Sequence, residues 1–188
     1  MADGVALTVP GLDAFLAELR ALPTKVQAKV MGKVVSAGAA VIQSEIVRRA
    51  PEFTGEVSQG HPPPGTLKKA IYRTRVPSEC TANLEVWKVA VRKGKAAQST
   101  KRGKSTVNLD AFYATWVEYG HFARVPHAMT RSAKAAAQAA GTAKWVPAHP
   151  FFRPGVDAST RASFTAMQAA MDRELPLAVA AGRYLRLK

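Results

Sequence analysis

The sequence predicts an α+β fold: a long N-terminal helix and a C-terminal helix packed on a small antiparallel sheet, with long loop insertions. Three observations carry this reading. From Thr24 to Ala50, valines recur at helical spacing without a proline or a turn signal. Two short runs, around Tyr72–Val76 and Trp87–Val91, alternate apolar with cationic residues as half-buried strands do. Phe164, Met167, Met171 and Leu175 repeat at helical spacing near the C-terminal end. Each strand has a single apolar face, which favours an antiparallel sheet with one wet side over a buried parallel one.

The 188 residues suit one domain, residues 1–188. Leu12, Phe15, Leu16, Leu19 and Leu22 mark a short amphipathic helix ending before Pro23. Thr24 with Gln27 fits a capping box at the start of the long helix. Val26, Val30, Val34, Ala37 and Val41 form its stripe, and Pro51 stops it at about Ala50. Residues 50–65 read as an exposed loop with a Thr-Gly turn and a stiff His-Pro-Pro-Pro-Gly run. After the second strand, Arg92–Lys104 holds six cations and no acid, within a mobile basic loop over 92–108.

The decapeptide from Ala111 to Gly120 contains four of the fourteen aromatic residues. Phe112 and Tyr113 return against Trp116 and Val117, so the stretch reads as a short core helix with Glu118 at its edge. Gly120 is its stop, because glycine takes positive φ at little cost. Residues 121–148 form a second insertion in which Ser132–Ala140 is helical by propensity yet has no bulky apolar stripe. Pro154 suits the first turn of the last helix, and Pro176 is expected to break it.

Charge is the strongest compositional signal. Of the net +14, ten units lie between Val86 and Val156, where twelve Lys and Arg face only Asp110 and Glu118. That field favours an acidic partner, nucleic acid or protein, without implying sequence recognition. No apolar run approaches membrane-spanning length, so no membrane partner is expected, and no secretion signal opens the chain. Cys80 is alone, consistent with a reducing cytosol.

Catalytic chemistry finds little support. Gly103-Lys-Ser-Thr106 resembles the end of a phosphate-binding loop, but Gln98 stands where its first glycine belongs. His61, His121, His127 and His149 lack metal-ligand spacing, no nucleophile elbow is present, and no two carboxylates pair. No catalytic residue, cofactor or metal is therefore expected.

Three separated stretches together resemble one viral family. They are Ala50-Pro51 with Thr54-Gly55 leading to Leu67–Ile71; Tyr113-Ala114 with Val117-Glu118-Tyr119-Gly120; and Ala148 with Pro150-Phe-Phe-Arg-Pro154. Their order is similar to that in the tail-completion, or head–tail joining, proteins of long-tailed bacteriophages, over a core of about residues 11–175. The resemblance implies a non-enzymatic virion protein, present in the host cytoplasm during assembly, that forms a ring, expected to be sixfold, between neck and tail tube. Its partners would be copies of itself, tail-tube and head or neck connector proteins, and passing DNA non-specifically. Pro51, Thr54, Gly55, Tyr113, Glu118, Gly120, Pro150, Phe151 and Pro154 would then be structural. Arg92, Lys93, Lys95, Lys101, Arg102 and Lys104 would face an acidic neighbour or the DNA-filled channel. Glu118 is expected either to pair with an arginine or to cap backbone N–H groups. The alternative is a basic nucleic-acid-binding protein of the host cytoplasm.

Overall fold

A computed structural model describes residues 13, 17, 20, 24–52, 63–81, 84–94, 97, 100–102, 105–123, 131–141 and 144–186. The apolar positions of the expected first helix, together with Thr54, Gly55, Lys95 and Lys104, lie outside these residues.

Helix α1 spans Thr24–Arg49 and ends where Pro51 forbids continuation. A short α2 (Thr66–Ala70) begins after Gly65, whose φ of 76° only glycine adopts freely, and leads directly into strand β1 (Ile71–Arg75). A 3₁₀ turn at Pro77–Glu79 precedes β2 (Trp87–Val91), which pairs with β1. Backbone bonds from Val76 N–H to Val86 O and from Arg92 N–H to Ala70 O set an antiparallel register. Next come β3 (Thr100–Arg102), β4 (Ser105–Val107), α3 (Ala114–Tyr119) and β5 (His121–Phe122). The described chain then runs through α4 (Arg131–Ala139), β6 (Trp145–Val146) and α5 (Phe152–Arg186). Among the described residues the sheet content is three two-stranded pieces, β1·β2, β3·β4 and β5·β6, joined into no larger sheet.

Contacts divide the chain into two compact units. The first contains Met1–Glu45, Arg73–Val89 and Ala158–Lys188. Its core packs Val30 and Val34 of α1 against Ala170 and Met171 of α5, flanked by Val26, Met31, Ala37, Met167 and Leu175. By length and mean hydropathy (1.3), Val26–Arg49 is apolar enough to cross a bilayer, contrary to the expectation of no such stretch. Val26, Val30 and Val34 of this stretch pack in the cluster shared with α5. Lys33 pairs with Glu174 across the two helices, and that ion pair holds the Glu174 carboxyl below the usual carboxylate range. On the ladder, Arg75 grips Glu85 through two bonds of 2.6 and 2.8 Å, and Trp87 Nε1 donates to the same carboxylate at 2.9 Å. The Arg75 bond is the main reason the Glu85 carboxyl also lies low.

Helix α5 runs through Pro176, where a break was expected. Proline removes one backbone bond and crowds the preceding turn. Here Met171, Glu174 and Leu175 tie that preceding turn to α1, which is enough to keep the chain helical.

The second unit contains Ile46–Tyr72 and Ala90–Asp157. Ile46, Leu67, Ile71, Leu109, Ala111 and Phe151 are all buried in it. At Gly155 an added Cβ would lie 2.9 Å from Ile46 Cγ1 and 3.0 Å from Ile46 Cα, so this glycine is what lets α5 begin so near α1. Gly→Ala inside a helix ordinarily gains about 1 kcal/mol. At Gly155 the overlap is partly with backbone, and overpacking of about 1–3 kcal/mol should reverse the sign. We expect Gly155→Ala to lower the urea midpoint, and a raised midpoint would refute the close approach.

Candidate functional site

Helix α3 is the point at which the described parts of the three motif stretches meet, all within the second unit. Toward the first stretch, the Tyr113 phenol makes a hydrogen bond with the Leu67 backbone, and burial pushes its pKa up. Toward the third, His149 N–H donates to Val117 O at 2.8 Å. Just beyond α3, an added Cβ on Gly120 would meet Trp145, Val146 O and Ala148 N.

Glu118 makes the tightest junction. The residue is 5% exposed, and its carboxylate sits at the N-terminal end of α5. Oε2 accepts from Phe151 N–H at 2.8 Å and Phe152 N–H at 2.9 Å. Oε1 accepts from Arg153 N–H at 3.1 Å and Arg153 Nε at 3.0 Å. The first N–H groups of a helix have no partner within it. Here those of Phe152 and Arg153, together with that of Phe151 just before the helix, go to one remote carboxylate. Pro154 has none to offer, and Gly155 N–H closes the first turn on Phe151 O. The negative charge also faces the positive end of the α5 dipole. Burial opposes ionisation of Glu118, but the three backbone donors and the Arg153 guanidinium outweigh it and hold the carboxyl below its ordinary range. Arg153 in turn lies over the Tyr119 ring, 4.6 Å from its centroid.

Helix α3 is therefore the reverse of the expected core helix with an edge carboxylate. Its buried positions are Ala114 and Glu118, while Phe112, Trp116 and Tyr119 face solvent at i, i+4 and i+7. The inversion has a plain cause: the inward side must be small to approach 145–153 closely, and it must carry the acceptor for α5. Phe122 and Trp145, paired across β5·β6 with ring centroids 4.9 Å apart, are exposed as well. Phe112 meets Trp116 edge to face at 5.5 Å, and Trp116 stacks on His121 at 5.3 Å. The 112/116/119 spacing puts these rings on one face of the chain but does not say whether that face points in or out.

Among the described residues of the basic excursion, part is strand rather than loop. Thr100–Arg102 pairs with Ser105–Val107, a hairpin whose β-branched residues favour strand. At its base Gly94 N–H donates to Asp110 Oδ1 at 2.9 Å, Leu109 N–H to Ala97 O, and Ala111 N–H to Arg92 O. Arg92 lies 4.3 Å from the Tyr72 ring centroid, at the root of the excursion. Lys93 is exposed, and the backbones of Lys101 and Arg102 are on β3. Of the remaining motif residues, Pro51 and Pro150 are exposed, while Phe151 is fully buried. Among the described residues no three His, Cys, Asp or Glu side chains converge as a metal site would require.

Residues 13–120 match the family described as "Bacteriophage HK97-gp10, putative tail-component". The match stops at Gly120, so the segment that Glu118 caps lies beyond it. No curated protein and no solved structure matches the chain.

Proposed function

This chain belongs to the bacteriophage HK97-gp10-like family of tail components, and we propose that it completes the tail and joins it to the head and neck as one subunit of a ring, expected to be sixfold. As a tail component it is a structural protein of the virion, and other tail proteins are its partners. The observation that best supports the finer role is the convergence of three motif stretches on α3. It yields a firmly tied core from which the 92–108 and 121–148 excursions leave and to which they return. An adaptor needs that division, with a rigid base holding its position while insertions meet neighbours.

In this reading Lys93, Lys95, Lys101, Arg102 and Lys104 meet an acidic neighbour or the DNA in the channel. Arg92, stacked on Tyr72, anchors the root of the excursion. A phage lacking the gene should accumulate full heads and tails that fail to join, seen by electron microscopy. Restoring the gene with those five lysines and arginines changed to serine should leave joining or DNA retention reduced about tenfold, since every cation removed weakens a mainly electrostatic attraction to phosphate or carboxylate groups. Normal yields from the serine variant would remove the role of the loop, and joined particles without the gene would remove the function.

A further inference from the structure

The aromatic face has more to do than α3 requires. Phe112, Trp116, Tyr119, Phe122 and Trp145 are 42 to 57% exposed. Rings of this size carry about 150–250 Å² each, so together they leave roughly 500 Å² of aromatic surface in water. That is the size of the largest apolar patch of an ordinary monomer, here divided between two clusters, Phe112 with Trp116 and Phe122 with Trp145. It falls short of the roughly 800 Å² that one partner contributes to a standard interface. The remaining contact must come from the rim.

The rim is cationic. The Arg153 side chain is 58% exposed over Tyr119, and Lys144, the residue before Trp145 in the chain, is exposed. Between Ala111 and Val156 the only acid is Glu118, which is buried and already accepts four hydrogen bonds. A second copy would bring the same cations and a net charge of +14, so like charges would oppose pairing through this face.

We propose that this face is the docking site for a different tail protein, which inserts an apolar segment flanked by acidic residues. This rests on the tail role argued above and names the chemistry of one partner. The aromatics supply the buried anchors and Arg153 and Lys144 the complementary rim, the arrangement in which a few aromatic and arginine residues dominate affinity. Contacts between ring neighbours then use another surface.

The test places a photoreactive benzophenone amino acid at position 122, or at 112 in a second preparation, in phage supplied with this chain alone. Irradiated tails are digested and the cross-linked peptide is sequenced. The expected result is a cross-link to a different tail protein, within a segment of net negative charge. A cross-link to another copy of this chain, or to a neutral or basic segment, overturns the proposal, as does no cross-link in tails that contain the protein. Tails devoid of the protein would overturn the tail-joining role and this docking site with it. In parallel, Trp116→Ala with Phe122→Ala should cut incorporation into tails roughly tenfold or more while the purified chain keeps its circular dichroism. Undiminished incorporation of that folded variant overturns the proposal. Lys144→Glu should weaken incorporation, and unchanged or improved incorporation counts against an acidic partner.

Discussion

Replacing Glu118 with alanine is expected to destabilise the protein by about 3–5 kcal/mol, the range for breaking a buried charged pair from one side. The loss is large because the acceptor is shared. Phe151, Phe152 and Arg153 would each keep an N–H at the start of α5 with no carboxylate to receive it. For a chain of this length the midpoint of thermal unfolding should fall by roughly 6–20 °C. Glu118→Gln is the sharper variant. Each carboxylate oxygen serves two donors, so an amide NH₂ must face one of those pairs and repel it, at a cost of about 2–3 kcal/mol. Arg153→Ala should cost less than about 1 kcal/mol, because its guanidinium is mostly in solvent. That ranking separates helix capping from a salt bridge, and an Arg153→Ala loss equal to that of Glu118→Ala would reverse it.

The effect has a pH signature. The Glu118 carboxyl titrates lower in the folded protein than in the unfolded chain. Its contribution is therefore complete above the ordinary carboxylate pKa of about 4.3 and disappears as pH falls through the folded value. Urea midpoints of wild type and Glu118→Gln should differ clearly at neutral pH and draw together in acid. A gap as wide in acid as at neutrality would show that shape, not charge, is what the site needs.

Gly120→Ala is the second large effect expected. Gly120 has φ 75° and ψ 168°, a region that is essentially glycine-only. A Cβ there would lie 2.6 Å from Trp145 Cζ2, 2.9 Å from Val146 O and 3.0 Å from Ala148 N. Backbone strain and overlap together should cost about 3–5 kcal/mol. The indole could move aside, but the two backbone atoms belong to the segment that pairs with β5 and leads into α5. Trp145→Ala in the same chain should therefore fail to restore stability. Full rescue would mean that only the side chain stood in the way.

Both substitutions touch the part of the fold that the sequence revealed least evenly. The long helix and the β1·β2 ladder were legible because periodic burial over many residues leaves a periodic pattern: valines at 26, 30 and 34, and arginines at 73 and 75 pointing away. The motif stretches around Tyr113, Glu118 and Pro150 were legible as short segments. What they do for one another was hidden, since Glu118 and the N–H groups it accepts from are separated by 33 to 35 positions. Helix α3 has only six residues, and aromatics at 112, 113, 116 and 119 fit either an inward or an outward face. Local spacing cannot choose between them, whereas the contact with residues 145–153 does. One clue was present, a lone acid in a basic region between two large aromatics. The two-residue strands β5 and β6 are too short to leave any alternating pattern.

Locating the chain in the virion tests the account most directly. Electron microscopy of phage particles with this protein labelled should show it as a ring at the head-proximal end of the tail, where tail meets neck. Label spread along the tube, confined to the distal tip, or absent from the particle would contradict the joining role.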